Sequence, residues 1–205
     1  TGETGTTVTF TSASAAYGIT AVEVYNSGAG PVGPLYVQGT SCRESDGTTA
    51  CALGTNEAAA CLLTCCVLIE DTSSTITSIT DTQSNSWSSV TSLSTFNTGN
   101  RFQVWYSPNC GAGANTITAN VSSAVATQMI CEEWSGIQTS SPVDDSDVST
   151  QADNPTTTAV TTTRTGDLLY SCFPTIVGYS TAPSGITRRN EYVFNQYMQT
   201  QNQFA

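Results

Sequence analysis

The chain has 205 residues and a formal net charge of −11, because five Arg and no Lys stand against sixteen Asp and Glu, and His is absent. Nucleic-acid binding draws most of its affinity from Lys and Arg that neutralise phosphates, so this composition excludes that class of function. The same shortage disfavours anionic membranes. No apolar run is long enough to span a bilayer, so we expect no membrane insertion.

The missing residue types also remove whole classes of catalysis. Without His there is no Ser-His-Asp or Cys-His arrangement, and without Lys there is no Ser-Lys dyad and no Schiff base. Lys-Asn isopeptide cross-links are excluded for the same reason. We therefore expect a structural or binding protein rather than an enzyme, with no cofactor.

Two alternating segments open the chain. Thr6 to Phe10 and Ile19 to Tyr25 both alternate in side-chain character and are predicted as strands, and the turn cluster Gly28 to Gly33 separates them from the rest of the chain. We therefore divide the chain into an N-terminal arm, residues 1–30, and a β-sandwich domain, residues 31–205. The residues of the arm that we expect to dock into a partner are Thr7, Val8, Thr9, Phe10, Ile19, Val22 and Val24.

Eight cysteines indicate disulfides, because there is no His and the spacing lacks the paired Cys-x-x-Cys of zinc knuckles. The disulfide candidates are Cys42, Cys51, Cys61, Cys65, Cys66, Cys110, Cys131 and Cys172. Disulfides require an oxidising compartment, so a secreted or cell-surface location is expected. Since the chain starts at Thr1 without Met, we also expect that a leader has been cleaved.

The spacing favours one disulfide pairing and leaves the others open. Asp46-Gly47 is predicted as a turn tip, and a Cys42–Cys51 bond would close that short loop. Cys65 and Cys66 are adjacent, so on a strand they face opposite ways and are expected to bond to different partners. They lie within Leu62 to Ile69, a nearly apolar run predicted as a strand that is buried on both faces.

Short runs of β-forming residues continue at intervals of 10 to 15 residues, separated by Gly, Asn, Pro or Ser. They are Thr75 to Thr80, Ser86 to Val90, Phe102 to Tyr106, Asn115 to Val121, Thr127 to Trp134, Asp167 to Phe173 and Glu191 to Tyr197. This rhythm predicts an all-β fold, a disulfide-stapled sandwich of jelly-roll or immunoglobulin-like type. The polar stretch Ser140 to Thr165 is expected to be a long loop followed by a Thr-rich strand.

Four segments carry a resemblance: Ile76 to Ser89, Arg101 to Ser122, Met129 to Ile137 and Thr165 to Phe173. Their Thr-Asp-x-x-x-Asn-x-Trp hairpin, Trp-Tyr strand, Gly-Ala and Ile-Thr strand, and Glu-x-Ser-Gly-Ile strand resemble a β-sandwich module of bacterial extracellular and adhesin-like proteins. The extra N-terminal strand also resembles the donor strand of pilus subunits, which completes the sheet of the next subunit. The resemblance implies fold-determining positions and no catalytic chemistry.

Acidic residues offer two further hypotheses. Glu132 and Glu133 could serve a glycosidase, but adjacent strand residues point to opposite faces, so one of them would have to work with Asp144 or Asp145. Asp145, Asp147 and Asp153 echo a calcium loop, although Thr150 and Thr156 stand where its Gly and bidentate Glu belong. A structural Glu and a solvated acidic loop are the simpler interpretations.

Glycans are expected as covalent additions or as ligands. Asn120 heads an Asn-x-Ser sequon. Threonines after Pro155 resemble an O-glycosylated tract: Thr156, Thr157, Thr158, Thr161, Thr162 and Thr163. Trp87, Trp105 and Trp134, with Tyr106, could stack on sugars, although tryptophans inside strands usually pack in a core.

Two functions remain from the sequence. The first is a structural subunit of an extracellular filament or surface assembly, a head-to-tail homopolymer joined through the N-terminal strand and glycosylated on Ser and Thr. The second is a secreted carbohydrate-binding or adhesion module. The arm could equally fold back as the first strand of its own sandwich.

Overall fold

A computed structural model of the chain describes residues 7–11, 19–24, 33–55, 57–96, 99–150, 156–161, 166–175, 187–194 and 196–204. Over these ranges the secondary structure consists of β-strands, with no helix. The expected all-β class is confirmed. The strands are β1 (Thr7–Thr11), β2 (Ile19–Val24), β3 (Leu35–Glu44), β4 (Thr48–Ala52), β5 (Cys61–Ile69), β6 (Ile76–Asp81), β7 (Ser88–Ser89), β8 (Ser94–Phe96), β9 (Asn100–Cys110), β10 (Thr116–Val121), β11 (Thr127–Ser135), β12 (Val143–Ser149), β13 (Thr156–Thr161), β14 (Leu168–Thr175), β15 (Thr187–Phe194) and β16 (Gln196–Phe204).

The centre of the fold is a six-stranded antiparallel sheet with the order β3-β11-β5-β9-β7, to which β8 adds by pairing with β9. Strand β5 lies in its middle and is buried at every position. A strand covered on both faces needs apolar side chains on both faces, so its sequence does not alternate. The prediction of a doubly buried strand over Leu62 to Ile69 is therefore confirmed.

Two further sheets cover the faces of the central sheet. A five-stranded sheet has the order β12-β2-β14-β16-β15, and a three-stranded sheet has the order β4-β10-β6. Alternate residues of β5 divide between them: Cys66 and Leu68 pack in the core shared with the five-stranded sheet, and Cys65 and Val67 in the core shared with the three-stranded sheet. The sandwich thus has three layers and two cores, and β1 with β13 forms a separate two-stranded sheet.

Four disulfides use all eight cysteines and tie the layers together. Cys42–Cys51 joins β3 to β4, and Cys66–Cys172 joins β5 to β14, so each outer sheet is bonded to the central one. Cys61–Cys110 and Cys65–Cys131 join β5 to its neighbours β9 and β11. The structure contains the expected Cys42–Cys51 bond, and Cys65 and Cys66 bond to different partners on opposite faces.

The turn between β3 and β4 shows why Gly stands at its tip. Gly47 has a φ of +87°, and a Cβ added there would lie 2.3 Å from the carbonyl oxygen of Ser123. An L side chain is disfavoured by both the backbone conformation and this close approach. The predicted turn at Asp46-Gly47 brings Cys42 and Cys51 opposite each other.

The structure differs from expectation after Ser140. Residues 143–149, which we expected to lie in a long loop, form strand β12 and pair with β2. Strand β12 lies at the edge of its sheet, and edge strands tolerate charged side chains because one side stays open to water. The Thr-rich strand expected after this stretch is β13. The single strand expected over Glu191 to Tyr197 is replaced by two paired strands, β15 and β16.

Candidate functional site

Strand β2 of the N-terminal arm occupies a slot between β12 and β14. Val22 pairs with Ser146 on one side and with Tyr170 on the other, so backbone ladders run along both edges of β2. Val22 and Val24 are 2% and 1% exposed and pack in the core against the central sheet. In the single chain the arm therefore folds back onto its own sandwich, which is one of the two alternatives expected from the sequence.

Strand β2 lies outside the covalent frame of the molecule. The first cysteine is Cys42, so the disulfides leave the arm uncrosslinked, and residues 25–32, which join it to β3, are outside the described residues. If β2 left the slot, it would uncover two strand edges and core side chains such as Leu168 and Tyr170. An uncovered strand edge is a template for another strand. The slot is thus the candidate assembly site.

The other half of the expected assembly strand lies in a different sheet. Thr7, Val8, Thr9 and Phe10 belong to β1, where Val8 pairs with Val160 and Phe10 with Thr158 of β13. Ile19 belongs to β2 and pairs with Ser149. The described residues of the arm therefore form two strands, and β2 is the one that enters the five-stranded sheet.

Exposed apolar side chains mark the start of β3, an edge strand of the central sheet. Leu35 and Val37 are 48% and 44% exposed. Tyr36, between them, points inward and meets Trp134 edge-on, with ring centroids 5.4 Å apart. These two exposed residues directly follow the segment that joins the arm to the sandwich.

Glu132 and Glu133 point to opposite faces of the central sheet and do not share a site. Both are 0% exposed. Thr200 of β16 donates a hydrogen bond to Glu132 Oε1. Glu133 instead accepts hydrogen bonds from the Ala58 backbone N–H at 3.1 Å and from Gln38 Nε2 at 2.6 Å. The suggested glycosidase partners Asp144 and Asp145 both lie on β12, where Asp145 is exposed and accepts a hydrogen bond from the backbone N–H of Ser146.

Other polar and aromatic side chains lie near Glu132 in the core that the central sheet shares with the five-stranded sheet. The indole of Trp134 donates to Thr64 Oγ1 at 3.0 Å, and its ring meets that of Tyr170 edge-on at 6.3 Å. Burial and the negative charge of Glu132 raise the pKa of Tyr170 well above its usual value. The Tyr170 hydroxyl is therefore neutral at physiological pH and acts as a structural group beneath the slot.

Glu57 forms a second buried polar cluster, which was not predicted from the sequence. Glu57 is 4% exposed, and Asn115 Nδ2 donates to its Oε1 at 2.6 Å. Burial raises the pKa of Glu57 to about 7; the hydrogen bond from Asn115 opposes this rise, and the charges of Glu133 and Asp81 add to it. The available signal was an isolated acidic residue immediately before the apolar run that becomes β5.

The carboxylate of Glu57 also lies close to two sulfur atoms. One of its oxygens and the Sγ atoms of Cys61 and Cys110 are all within 4.8 Å of one another. Because these sulfurs are bonded to each other, they are not thiolate metal ligands. Within the described part of the chain this is the one group whose spacing would suit a metal.

Asp81 organises the turn that carries the Thr-Asp-x-x-x-Asn-x-Trp pattern, which was expected to be a hairpin but joins β6 of the three-stranded sheet to β7 of the central sheet. Its Oδ1 accepts from the backbone N–H of Gln83 at 3.1 Å and of Asn85 at 2.9 Å. Its Oδ2 accepts from Asn85 Nδ2 and from Trp87 Nε1, both at 2.9 Å. Asn85 Oδ1 in turn accepts from the Gly111 N–H at 2.8 Å. The pattern therefore determines a turn.

The calcium hypothesis receives little geometric support. Asp145 and Asp147 lie exposed on β12, and each accepts a hydrogen bond from the backbone N–H of the next residue. Asp153 lies outside the described residues. The first two carboxylates are thus part of a strand rather than of a loop that could wrap around an ion.

The glycosylation candidates fall on strands or outside the described residues. Asn120 is half-buried on β10, and its Nδ2 donates to Ser78 Oγ at 3.1 Å. Thr156, Thr157, Thr158 and Thr161 lie on β13, where Thr161 is exposed. Thr162 and Thr163 lie outside the described residues.

The tryptophans have different environments. Trp134 is fully buried and cannot stack on a surface sugar. Trp87 and Trp105 are half-buried at the margin of the smaller core, and their indole N–H groups donate to Asp81 and to Gln103. Both residues remain partly exposed to solvent.

Comparisons with known protein families, with curated proteins and with solved structures found no match. Among the described residues no helix could cross a membrane.

Proposed function

We propose that the protein is a structural subunit of an extracellular filament or surface assembly, in which β2 of one subunit fills the slot of the next. The position of β2 carries this proposal: it is an inner strand of its sheet, its valines reach the core, and no disulfide holds it. Self-insertion and exchange make the same contacts within the slot. The connecting segment and the protein concentration then decide between them.

Exchange of this strand is a head-to-tail contact. The donated strand and the slot are different surfaces, so each subunit can give one strand and receive another, and such contacts build a fibre when they do not close into a ring. Leu35 and Val37 support the proposal, because they expose apolar surface where the donated segment leaves the sandwich. A neighbouring subunit would cover them.

The composition fits an extracellular location and a glycosylated surface. Four disulfides are typical of proteins from oxidising compartments. Charged residues make up only 10% of the chain, so sugars on the threonines of β13 would supply surface hydrophilicity. The proposal therefore includes O-glycosylation of these threonines.

Negative-stain electron microscopy of the native, unreduced protein, with its intact mass recorded in parallel, tests the proposal. Regular fibres are the expected result, and mass above that of the polypeptide would show glycans. Dispersed particles at the polypeptide mass, over a wide concentration range, would contradict both the filament and the glycosylation.

A secreted carbohydrate-binding or adhesion module is the second candidate. The half-buried rings of Trp87 and Trp105 favour it, because partly exposed indoles at the margin of a sheet offer an apolar face to a sugar ring. Binding to a glycan array that is lost in Trp105→Ala and retained in Trp134→Phe would favour this function over assembly.

A further inference from the structure

We propose that the Cys66–Cys172 and Cys65–Cys131 disulfides, together with two hydrogen-bonded strand pairings, form a relay that carries tension across each subunit of an assembly. This inference rests on the proposed function. The relay begins where Thr20 of β2 pairs with Cys172 of β14 and crosses the core through the Cys172–Cys66 bond. It continues from the adjacent Cys65 to Cys131 of β11, which pairs with Thr40 of β3.

The two ends of the relay are the points at which a fibre would load the subunit. The strand received from a neighbour lies against β14, along a ladder that runs from Val24 opposite Leu168 to Thr20 opposite Cys172. The subunit's own N-terminal strand is attached to β3. Tension must therefore pass from β14 in the five-stranded sheet to β3 in the central sheet.

Between these two sheets the described contacts include apolar side chains and the hydrogen bond from Thr200 to Glu132, which separate under load. The Cys66–Cys172 bond bypasses that interface. Within the central sheet, Cys65–Cys131 fixes β5 to β11 at the register position that faces β3. Adjacent cysteines on a strand are suited to this role, because one side chain faces each core.

The covalent path gives a measurable length. Coming from β3, the shortest covalent path passes through Cys42–Cys51, follows the backbone to Cys66 and crosses directly to Cys172, which lies 106 residues further along the chain. The Cys65–Cys131 bond lies beside this path and holds β5 to β11 in register. Without that bond the shortest path crosses from Cys65 to Cys131 and then follows about 40 residues to Cys172, or roughly 140 Å of extended chain. The Cys61–Cys110 bond is not on the path, because the backbone joins Cys61 to Cys66 directly.

Single-molecule pulling between handles at the two chain ends tests the connectivity in the full chain. The double variant Cys66→Ala with Cys172→Ala should extend about 140 Å further than the wild-type protein. The matched control, Cys61→Ala with Cys110→Ala, should extend no further than wild type, although it also removes a buried bond of β5. Because full extension depends on bonds and not on folding, a folding defect does not affect this readout. Equal extensions of the two variants would overturn the relay.

Pulling on fibres then tests the mechanical role. Wild-type and control fibres should break without lengthening, whereas fibres lacking the Cys66–Cys172 bond should lengthen by up to about 140 Å per subunit first. Absence of wild-type fibres would overturn the proposed function. Fibres that form but extend equally with and without this bond would overturn the relay alone.

Discussion

Two buried acidic side chains, Glu57 and Glu133, accept hydrogen bonds from neutral donors. Glu57 is bound by Asn115, and Glu133 by Gln38 and the Ala58 backbone, in a chain that has no Lys and only five Arg. For Glu57, burial raises the pKa of the carboxyl to about 7, because an ionised carboxylate without a cation is costly in the interior. Stability should therefore depend on pH in the range where Glu57 titrates.

We predict that the free energy of unfolding falls as the pH rises from about 4.5 through 7. The folded-state pKa of Glu57 is raised from 4.5 to about 7, so the folded protein binds more protons in this window and is stabilised fully only below it. The loss should be on the order of 2 kcal/mol, at about 1.4 kcal/mol per pKa unit with allowance for relaxation. Urea denaturation at pH 4.5 and pH 8 measures it.

The variant Glu57→Gln should remove most of this dependence, since it keeps the oxygen that accepts from Asn115 and cannot ionise. It should be more stable than wild type at pH 8 and similar at pH 4.5. Glu44→Gln, on the exposed end of β3, is the matched control and should follow the wild-type profile. A Glu57→Gln profile as steep as that of wild type would contradict this assignment.

Asp81 gives a second prediction at this scale. Asp81→Asn keeps the shape of the side chain but places an N–H₂ where Oδ2 accepts from Asn85 and Trp87. The new N–H₂ group would face the N–H donors of Asn85 and Trp87, so two partly buried hydrogen bonds would be lost together. This loss should lower the free energy of unfolding by about 2 to 4 kcal/mol. Asp46→Asn, which affects one exposed turn bond to Thr48, should cost under about 1 kcal/mol. Equal losses in the two variants, measured by urea denaturation, would show that Asp81 does not organise the turn between β6 and β7.

At the scale of elements, the pattern of apolar residues predicts which strands are buried better than it predicts where each strand lies in the sheets. The unbroken run of β5 indicated a doubly covered strand, and alternation indicated β1 and β2. The location of β2 between β12 and β14 could not be predicted, because pairing partners far apart in sequence leave no local pattern. Strand β12 was missed because Asp144, Asp145 and Asp147 mask the alternation, which an edge strand does not require.

The slot gives a prediction for strand β2. A variant that lacks residues 1–30 should bind a synthetic peptide of residues 16–30, because the peptide restores both ladders and the two core valines. Fluorescence anisotropy of the labelled peptide measures binding, and circular dichroism establishes that the shortened protein is folded. The control peptide with Val22→Asp and Val24→Asp should not bind, since a charge cannot enter that core without a large cost. Equal binding of both peptides would contradict a specific slot.

At the scale of the whole molecule, three layers are bonded into one frame, and the N-terminal arm lies outside it. The disulfide count predicted a stapled sandwich, and the spacing of Cys42 and Cys51 predicted one bond. The third layer was not predicted, because a second core can be recognised only once β5 is known to have sheets on both faces. Glu57 was missed for a related reason: the residues that bind it and influence its pKa, Asn115 and Glu133, are distant in sequence.

The most direct test of strand exchange is a disulfide placed across the slot. Ala21 of β2 and Asp147 of β12 are paired in register, and Asp147 is exposed, so cysteines at these positions are placed to bond across the two strands. The double variant Ala21→Cys with Asp147→Cys would be assembled, oxidised and run on a denaturing, non-reducing gel beside the two single variants. Strand exchange predicts a ladder of covalent oligomers in the double variant, with single variants that stop at dimers. A cross-linked monomer as the sole product of the double variant would show that each chain keeps its own strand, and would contradict strand exchange.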